Sequence, residues 1–408
     1  MNEMSTAATP ALKEAWERFH AAQREVLSWM EESERFKTVP QHRAKAYHTM
    51  MEALAMCYNF AVAPRMHNPR LFVNTGWQTE MYTLGQNGPD LHYAVTFLDG
   101  RQTYRLKGNY GDCVLILAQV LNHLSGHPDS RAIGNYDFST FEIGADGSFE
   151  FILSADEHEG NWLKLDRESP YHFLLFRRFM GDWGERPCSM QIDRISEIAD
   201  DYYDADEFDE AAMAARIDRA SAFLRYLIRD FNINLYEFYT RNGGGFNHMA
   251  FLPGTVTSQV GSPSSNYAMA VFDLAPDEAL VIELDQLPDG VYWSFQAGDV
   301  WSRSLNYTYR QTSINMRQAA VDADGGFRAV VAHKDPGVAN WIDTTGHLQG
   351  TVVFRNYRAS REPVPSTKKV KFDELGSVLP AGTAKMSAAQ RAEALRKRRA
   401  GLLKLHGE

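Results

Sequence analysis

The chain resembles itself. Ala145-Asp146-Gly147, Phe149, Asn161-Trp162-Leu163 and Phe176-Arg177 recur as Ala323-Asp324-Gly325, Phe327, Asn340-Trp341-Ile342 and Phe354-Arg355, 178 or 179 residues later. A tryptophan, a turn glycine and a strand-end arginine repeating at one offset point to two tandem copies of one β-rich module. The repeat restricts architecture far more than chemistry. At 408 residues the chain has room for both copies, and with 44% hydrophobic and 12% aromatic residues it can bury real cores.

The formal net charge of −10 argues against nucleic acid as a partner, because phosphate recognition needs a basic face. Three scattered cysteines, Cys57, Cys113 and Cys188, suit free thiols in a reducing, cytoplasmic setting rather than a disulfide framework. Neither the first ten residues nor any apolar run has the pattern of a signal or a membrane span, so no membrane partner is expected.

Thr9 and Pro10 open a helix with Leu12, Trp16, Phe19, Ala22, Val26 and Met30 on one face. After Val39-Pro40 a second helix is expected to bury Tyr47, Met50, Met51, Leu54 and Tyr58. Strand patterns follow from about Leu71, with hairpin signals at Asp99-Gly100 and Asp146-Gly147. Eight acids crowd residues 197–210 and lead into a long helix that ends at Asn242-Gly243-Gly244-Gly245. Strands return from about Tyr267. An extended segment at Pro363-Val364-Pro365 precedes a basic tail helix opened by a Ser387/Gln390 capping box. The predicted partition is 1–65 helical, 66–200 first β module, 201–245 acidic linker and long helix, 246–362 second β module, and 363–408 extended segment and tail helix.

The run Asp335-Pro336-Gly337-Val338-Ala339-Asn340-Trp341-Ile342-Asp343-Thr344-Thr345-Gly346-His347, with Gly350, Phe354-Arg355, Ser304-Leu305-Asn306-Tyr307 and Ser313-Ile314-Asn315, resembles the domain of unknown function 1214 family over about residues 267–357. The N-terminal half resembles the companion 1254-like region, with Asn87-Gly88-Pro89-Asp90 at its turn. The resemblance implies an α+β, mainly β protein: two tandem jelly-roll-like β-sandwich modules with an N-terminal helical part, a linking helix and a tail helix. It implies no settled activity.

Candidate functional residues concentrate between 301 and 347. Asp343 and His347 lie in a motif whose first-copy counterpart reads Leu163-Lys164-Leu165, so they are candidates for orienter and general base. Arg303 is a candidate for holding an anionic group. Tyr307, Asn315, Asn340 and Trp341 are candidates for binding. Equally open is the reading in which Asn340 and Trp341 only fix a loop, since both copies carry them. Arg177 and Arg355, duplicated as well, are expected to pair with carboxylates or loop carbonyls. Asp156-Glu157-His158-Glu159 lacks the spacing of a metal site, and no phosphate loop or nucleophile elbow occurs, so neither metal nor cofactor is expected. Two functions fit: a cofactor-independent acid–base enzyme of small-molecule catabolism, lyase or hydrolase in type, with an aromatic-lined pocket; or a non-catalytic carbohydrate-type binder. A homo-oligomer joined through the terminal helices is a third.

Overall fold

The computed structural model describes residues 8–73, 81–197, 208–251, 265–361 and 363–406; most of the acidic run lies outside them. The described strands form four sheets, and the chain is mainly β with added helices. In the first sandwich, β1 (Leu91–Leu98), β7 (His172–Phe179), β3 (Leu115–Leu121) and β4 (Ala132–Asp137) lie side by side in that order. Facing them are β6 (Trp162–Lys164), β5 (Ser148–Ser154), β2 (Tyr104–Asn109) and β8 (Ser189–Arg194). The second sandwich has the same connectivity. One sheet is β10 (Ser265–Asp273), β16 (Gln349–Tyr357), β12 (Tyr292–Gly298) and β13 (Ser313–Asn315), with β9 (Ala250–Phe251) added outside β10. The other is β15 (Trp341–Asp343), β14 (Phe327–Ala332), β11 (Glu278–Leu284) and β17 (Ser366–Lys371). Register agrees as well: Ile152 pairs with Trp162 and Val330 with Trp341, each in a parallel pair. The segment expected to run as an extended connection after Pro363 supplies β17, the counterpart of β8 in the first sandwich.

Each sandwich has its own core. Ala94, Ile116, Leu174 and Phe176 meet Leu106, Phe151 and Leu163 in the first. Ala270, Phe295 and Phe354 meet Ile282, Ala329 and Ile342 in the second. A further core lies outside both. The outward faces of β1, β3 and β7 turn Val95, Leu117, Leu175 and Phe179 toward Met269, Tyr292, Val353 and Tyr357 of the second sandwich and toward the helices. The Phe179 ring sits 4.5 Å from Tyr357 and 5.1 Å from Tyr292. These inner sheets are therefore buried on both faces. Every residue of β3, β7 and β12 is buried, where a sheet wet on one side would alternate.

Helix α1 (Pro10–Glu32) is capped by Thr9 and pairs with α4 (Glu210–Arg225) through a two-pronged Arg18–Asp218 contact at 2.8 Å. Between them in sequence come α2 (Glu34–Thr38) and α3 (Gln41–Cys57). α3 buries Ala46, Thr49, Met50, Ala53 and Met56, whereas Tyr47, Met51 and Tyr58 stay exposed. The expected apolar stripe is thus rotated, because small residues permit closer packing than the large ones beside them. α4 continues through π-helical turns Tyr226–Ile233 and Phe238–Asn242 to Gly243. In the first of these, buried Asn232 joins Arg35 to the Trp301 carbonyl. The tail helix (Ala388–His406) starts with the expected capping box, but Arg391 and Arg398 are buried, not solvated. Arg391 holds Asp335, and Arg398 reaches the Ser313 carbonyl and stacks over Trp183 of the first sandwich.

Asn340 gives the repeat its physical meaning. Its side chain accepts from Ala320 N (2.9 Å) and donates to the carbonyls of Ala320 (2.7 Å) and Arg328 (2.9 Å). Asn161 does the same with Glu142 N (2.9 Å), Glu142 O (2.8 Å) and Glu150 O (3.1 Å). Asn340→Ala is expected to cost about 3 kcal/mol and the more exposed Asn161→Ala about 1 kcal/mol. Urea unfolding of the two variants checks this; a larger loss at Asn161 would contradict it.

Candidate active site

α3 places Lys45, His48 and Glu52 on one face at helical spacing, and that face lies against two turns of the second sandwich. The first turn follows β12. Asp299 Oδ1 accepts from Trp301 N (2.9 Å) and Arg303 N (3.2 Å), which tightens the turn and leaves Oδ2 toward Lys45 Nζ (3.9 Å) and Arg303 (3.8 Å). Trp301 is fully buried; its indole donates to the His42 carbonyl, and the Arg35 guanidinium lies 3.8 Å over its ring. Arg35 also lines a cavity of about 200 Å³ with Ile233, Tyr236 and Phe246.

The second turn joins β15 to β16. Asp343 Oδ1 accepts from Thr345 N at 2.7 Å, and Oδ2 pairs with Arg310 at 2.8 Å. The His347 ring then lies against the turn, with Nδ1 2.9 Å from both the Thr344 carbonyl and the Thr345 hydroxyl. A carbonyl only accepts, so the hydrogen-bond pattern assigns the proton to Nδ1 and leaves a lone pair on Nε2. Nε2 contacts Lys45 Nζ. Burial, and then the charge of Lys45, holds His347 below the usual histidine value. Burial also lowers Lys45; Asp299 opposes that shift and Arg303 adds to it.

Three residues near these turns have left-handed backbone without being glycine: Gln86 (φ 51°), Ser302 (φ 55°) and Thr345 (φ 51°). The Ser302 carbonyl accepts from Gly85 N and Gln86 N, tying the first turn to the strand-like segment before β1. Such conformations hold only where surrounding contacts outweigh their cost.

Of the sequence candidates, His347 and Arg303 come together here. Arg303 is fully engaged: its Nε donates to Glu52 at 2.9 Å, and its other nitrogens approach Asp299 and His48. Glu52 in turn accepts from Leu84 N at 2.6 Å. Asp343 reaches His347 only through Thr345. Trp341 donates to the Ala332 carbonyl at 3.1 Å, as Trp162 does to Ser154 O at 3.2 Å. Tyr307 is buried, with its hydroxyl 3.2 Å from Asn87 Nδ2. Asn315 spans the sandwiches to Gly181 O at 3.0 Å. Arg355 bonds the Gln86 carbonyl in the loop before β1, as expected, and both duplicated arginines also bond the amide oxygen of a glutamine on the neighbouring strand, Gln296 (2.7 Å) and Gln119 (3.2 Å). Lys45, His48, Glu52 and Asp299 were not anticipated; the available signal was a polar face on an otherwise apolar helix. Among the described residues no three His, Cys, Asp or Glu side chains gather as a metal site would require.

Residues 272–361 match the family described as Protein of unknown function (DUF1214), within the second sandwich. No curated protein matches. Among solved structures, the chain is similar to an uncharacterised protein of Burkholderia cenocepacia, at 26% identity and TM-score 0.80 over 89% of this chain and 98% of that one. A Vibrio parahaemolyticus protein aligns at 12% identity and TM-score 0.46 over 79% of this chain and 98% of that one, too distant to carry an argument.

The buried rings predict acid sensitivity. Burial takes His42 down to about 4, and His347 is also held low. Both groups fold neutral, so the stability they contribute is complete above about pH 6.5 and is lost as pH falls toward 4, with His42 alone worth on the order of 3 kcal/mol. Urea midpoints across this window check it. In an NMR titration the His347 midpoint should lie below about 6.5 and rise in Lys45→Met, which removes a positive neighbour.

Proposed function

We propose that this chain is an acid–base enzyme acting on a small molecule, lyase or hydrolase in type, with proton-transfer groups supplied by its own side chains. One observation carries the reading: His347 commits Nδ1 to the Thr344 carbonyl and turns its basic Nε2 toward a titratable amine at the edge of solvent. A histidine tied to two non-titrating partners can only join elements; here the partner of Nε2 is itself an amine, so a proton can pass between the two nitrogens. Arg303 and Glu52 then act as positioning residues, and Asp343 shapes the turn that presents His347. Tyr307, Asn315, Asn340 and Trp341 support the second sandwich in this reading. A carbohydrate binder would need open aromatic faces, and the burial of Trp301, Tyr307 and Trp341 favours the enzyme.

Matching strand order, register and sequence offset support descent of both sandwiches from one jelly-roll-like module by duplication, with boundaries near 66–200 and 246–362 and β17 added to the latter. The helices and first sandwich are taken as the companion 1254-like region. Burial of all three free cysteines supports a cytoplasmic location.

The test is turnover on a panel of small carbonyl, ester and hydroxy-acid compounds. His347→Gln should lower kcat/KM at least about 100-fold on any substrate found, with the thermal melt unchanged. Full turnover in a folded His347→Gln variant would overturn the proposal.

A further inference from the structure

We infer that Lys45 is a carbonyl-capturing nucleophile: its amine, seated against His347 Nε2 and flanked by Asp299 and Arg303, condenses with a small aldehyde or ketone to form an imine. The inference rests on the acid–base reading of His347 and names the substrate class of that site. Its geometric basis is the partner that Lys45 has. A lysine serving as a surface tie touches a carboxylate, as Lys371 does Asp277 at 2.9 Å and Lys369 does Glu278 at 3.2 Å. The Lys45 amine instead meets a ring nitrogen bearing a lone pair, while the nearest carboxylate oxygen of Asp299 stands off at 3.9 Å. That carboxylate is held back because its other oxygen is fixed by two backbone amides of its own turn. An ammonium facing a neutral base is placed to lose a proton; one in close contact with a carboxylate anion is held charged.

The surroundings agree. Glu52 and Arg303 neutralise one another on the same face, and His48 lies at its exposed rim. Burial favours the neutral amine over the ammonium; the Asp299 charge opposes this, and the smaller effect of Arg303 adds to it. The Lys45 side chain remains 27% exposed, so its amine is within reach of a small carbonyl compound from solvent.

The step balances without an oxidant or reductant. His347 Nε2 takes a proton from the Lys45 ammonium. The freed Nζ lone pair attacks the carbonyl carbon, a C–N bond forms, and the C=O π pair moves to oxygen, which is protonated. His347 supplies that proton, takes another from the carbinolamine nitrogen and passes it to the hydroxyl; the C–O bond breaks with water leaving, the nitrogen lone pair closes the C=N bond, and the imine keeps the third ammonium proton. The net change is ammonium plus carbonyl giving protonated imine plus water.

Reductive trapping tests this. The full chain is incubated at pH 7 with glyoxylate and cyanoborohydride, which supplies the hydride that fixes the imine, and labelled lysines are located by peptide mass analysis. Lys45 should label at least about tenfold faster than exposed Lys107, and its rate should level off at a pH below that of an ordinary lysine amine, about 10.4. Labelling of Lys45 no faster than Lys107 overturns the inference; if turnover still depends on His347, the acid–base reading survives that result. Conversely, preferential labelling that persists undiminished in His347→Gln upholds the nucleophile and removes His347 as its base.

Discussion

Burial of the two inner sheets on both faces is the condition on which the rest of the molecule depends. A sandwich sheet ordinarily buries one face and wets the other. Here the outward faces of β1-β7-β3 and β10-β16-β12 carry Val95, Leu117, Leu175, Met269 and Val353, and neither sandwich alone can cover them. Pairing the sandwiches covers part of that surface and the helices cover the remainder. α3 is held in place by this demand, through Met50, Ala53 and Met56, and its opposite flank is thereby brought against the turns at Asp299 and His347. The site is a by-product of how a hydrophobic surface is closed.

The repeat was legible because it serves the fold. Asn340 and Trp341 recur as Asn161 and Trp162 since each bonds the same set of backbone groups on equivalent strands, so sequence identity and structural duty coincide. The β17 strand was not legible: Ser366–Lys371 is charged on its open edge and follows two prolines, and only pairing with β11 gives it strand form. The burial of α3 was misread because large apolar side chains are more conspicuous than the alanines and threonine that face the core. At the site, His347 and Arg303 stood out locally, whereas Lys45, Glu52 and Asp299 become meaningful only once segments distant in the chain meet.

Electrostatics at the site follow from partial enclosure. Asp299 and Glu52 are almost fully buried and are satisfied by turn amides and Arg303, so their charges are spoken for. Lys45 and His347 lie where burial disfavours charge and no carboxylate makes close contact. The result is a neutral-leaning amine and imidazole amid compensated ions, an environment in which a proton is easily passed between nitrogens.

The left-handed backbone at Gln86, Ser302 and Thr345 has a consequence for how this protein can change. Glycine at any of these positions would relax the chain locally and widen its conformational choices. A more comfortable backbone and a well-held site therefore pull in opposite directions, because glycine would also remove the Gln86 bonds to Gln296 and Thr351 and the Thr345 hydroxyl beside His347.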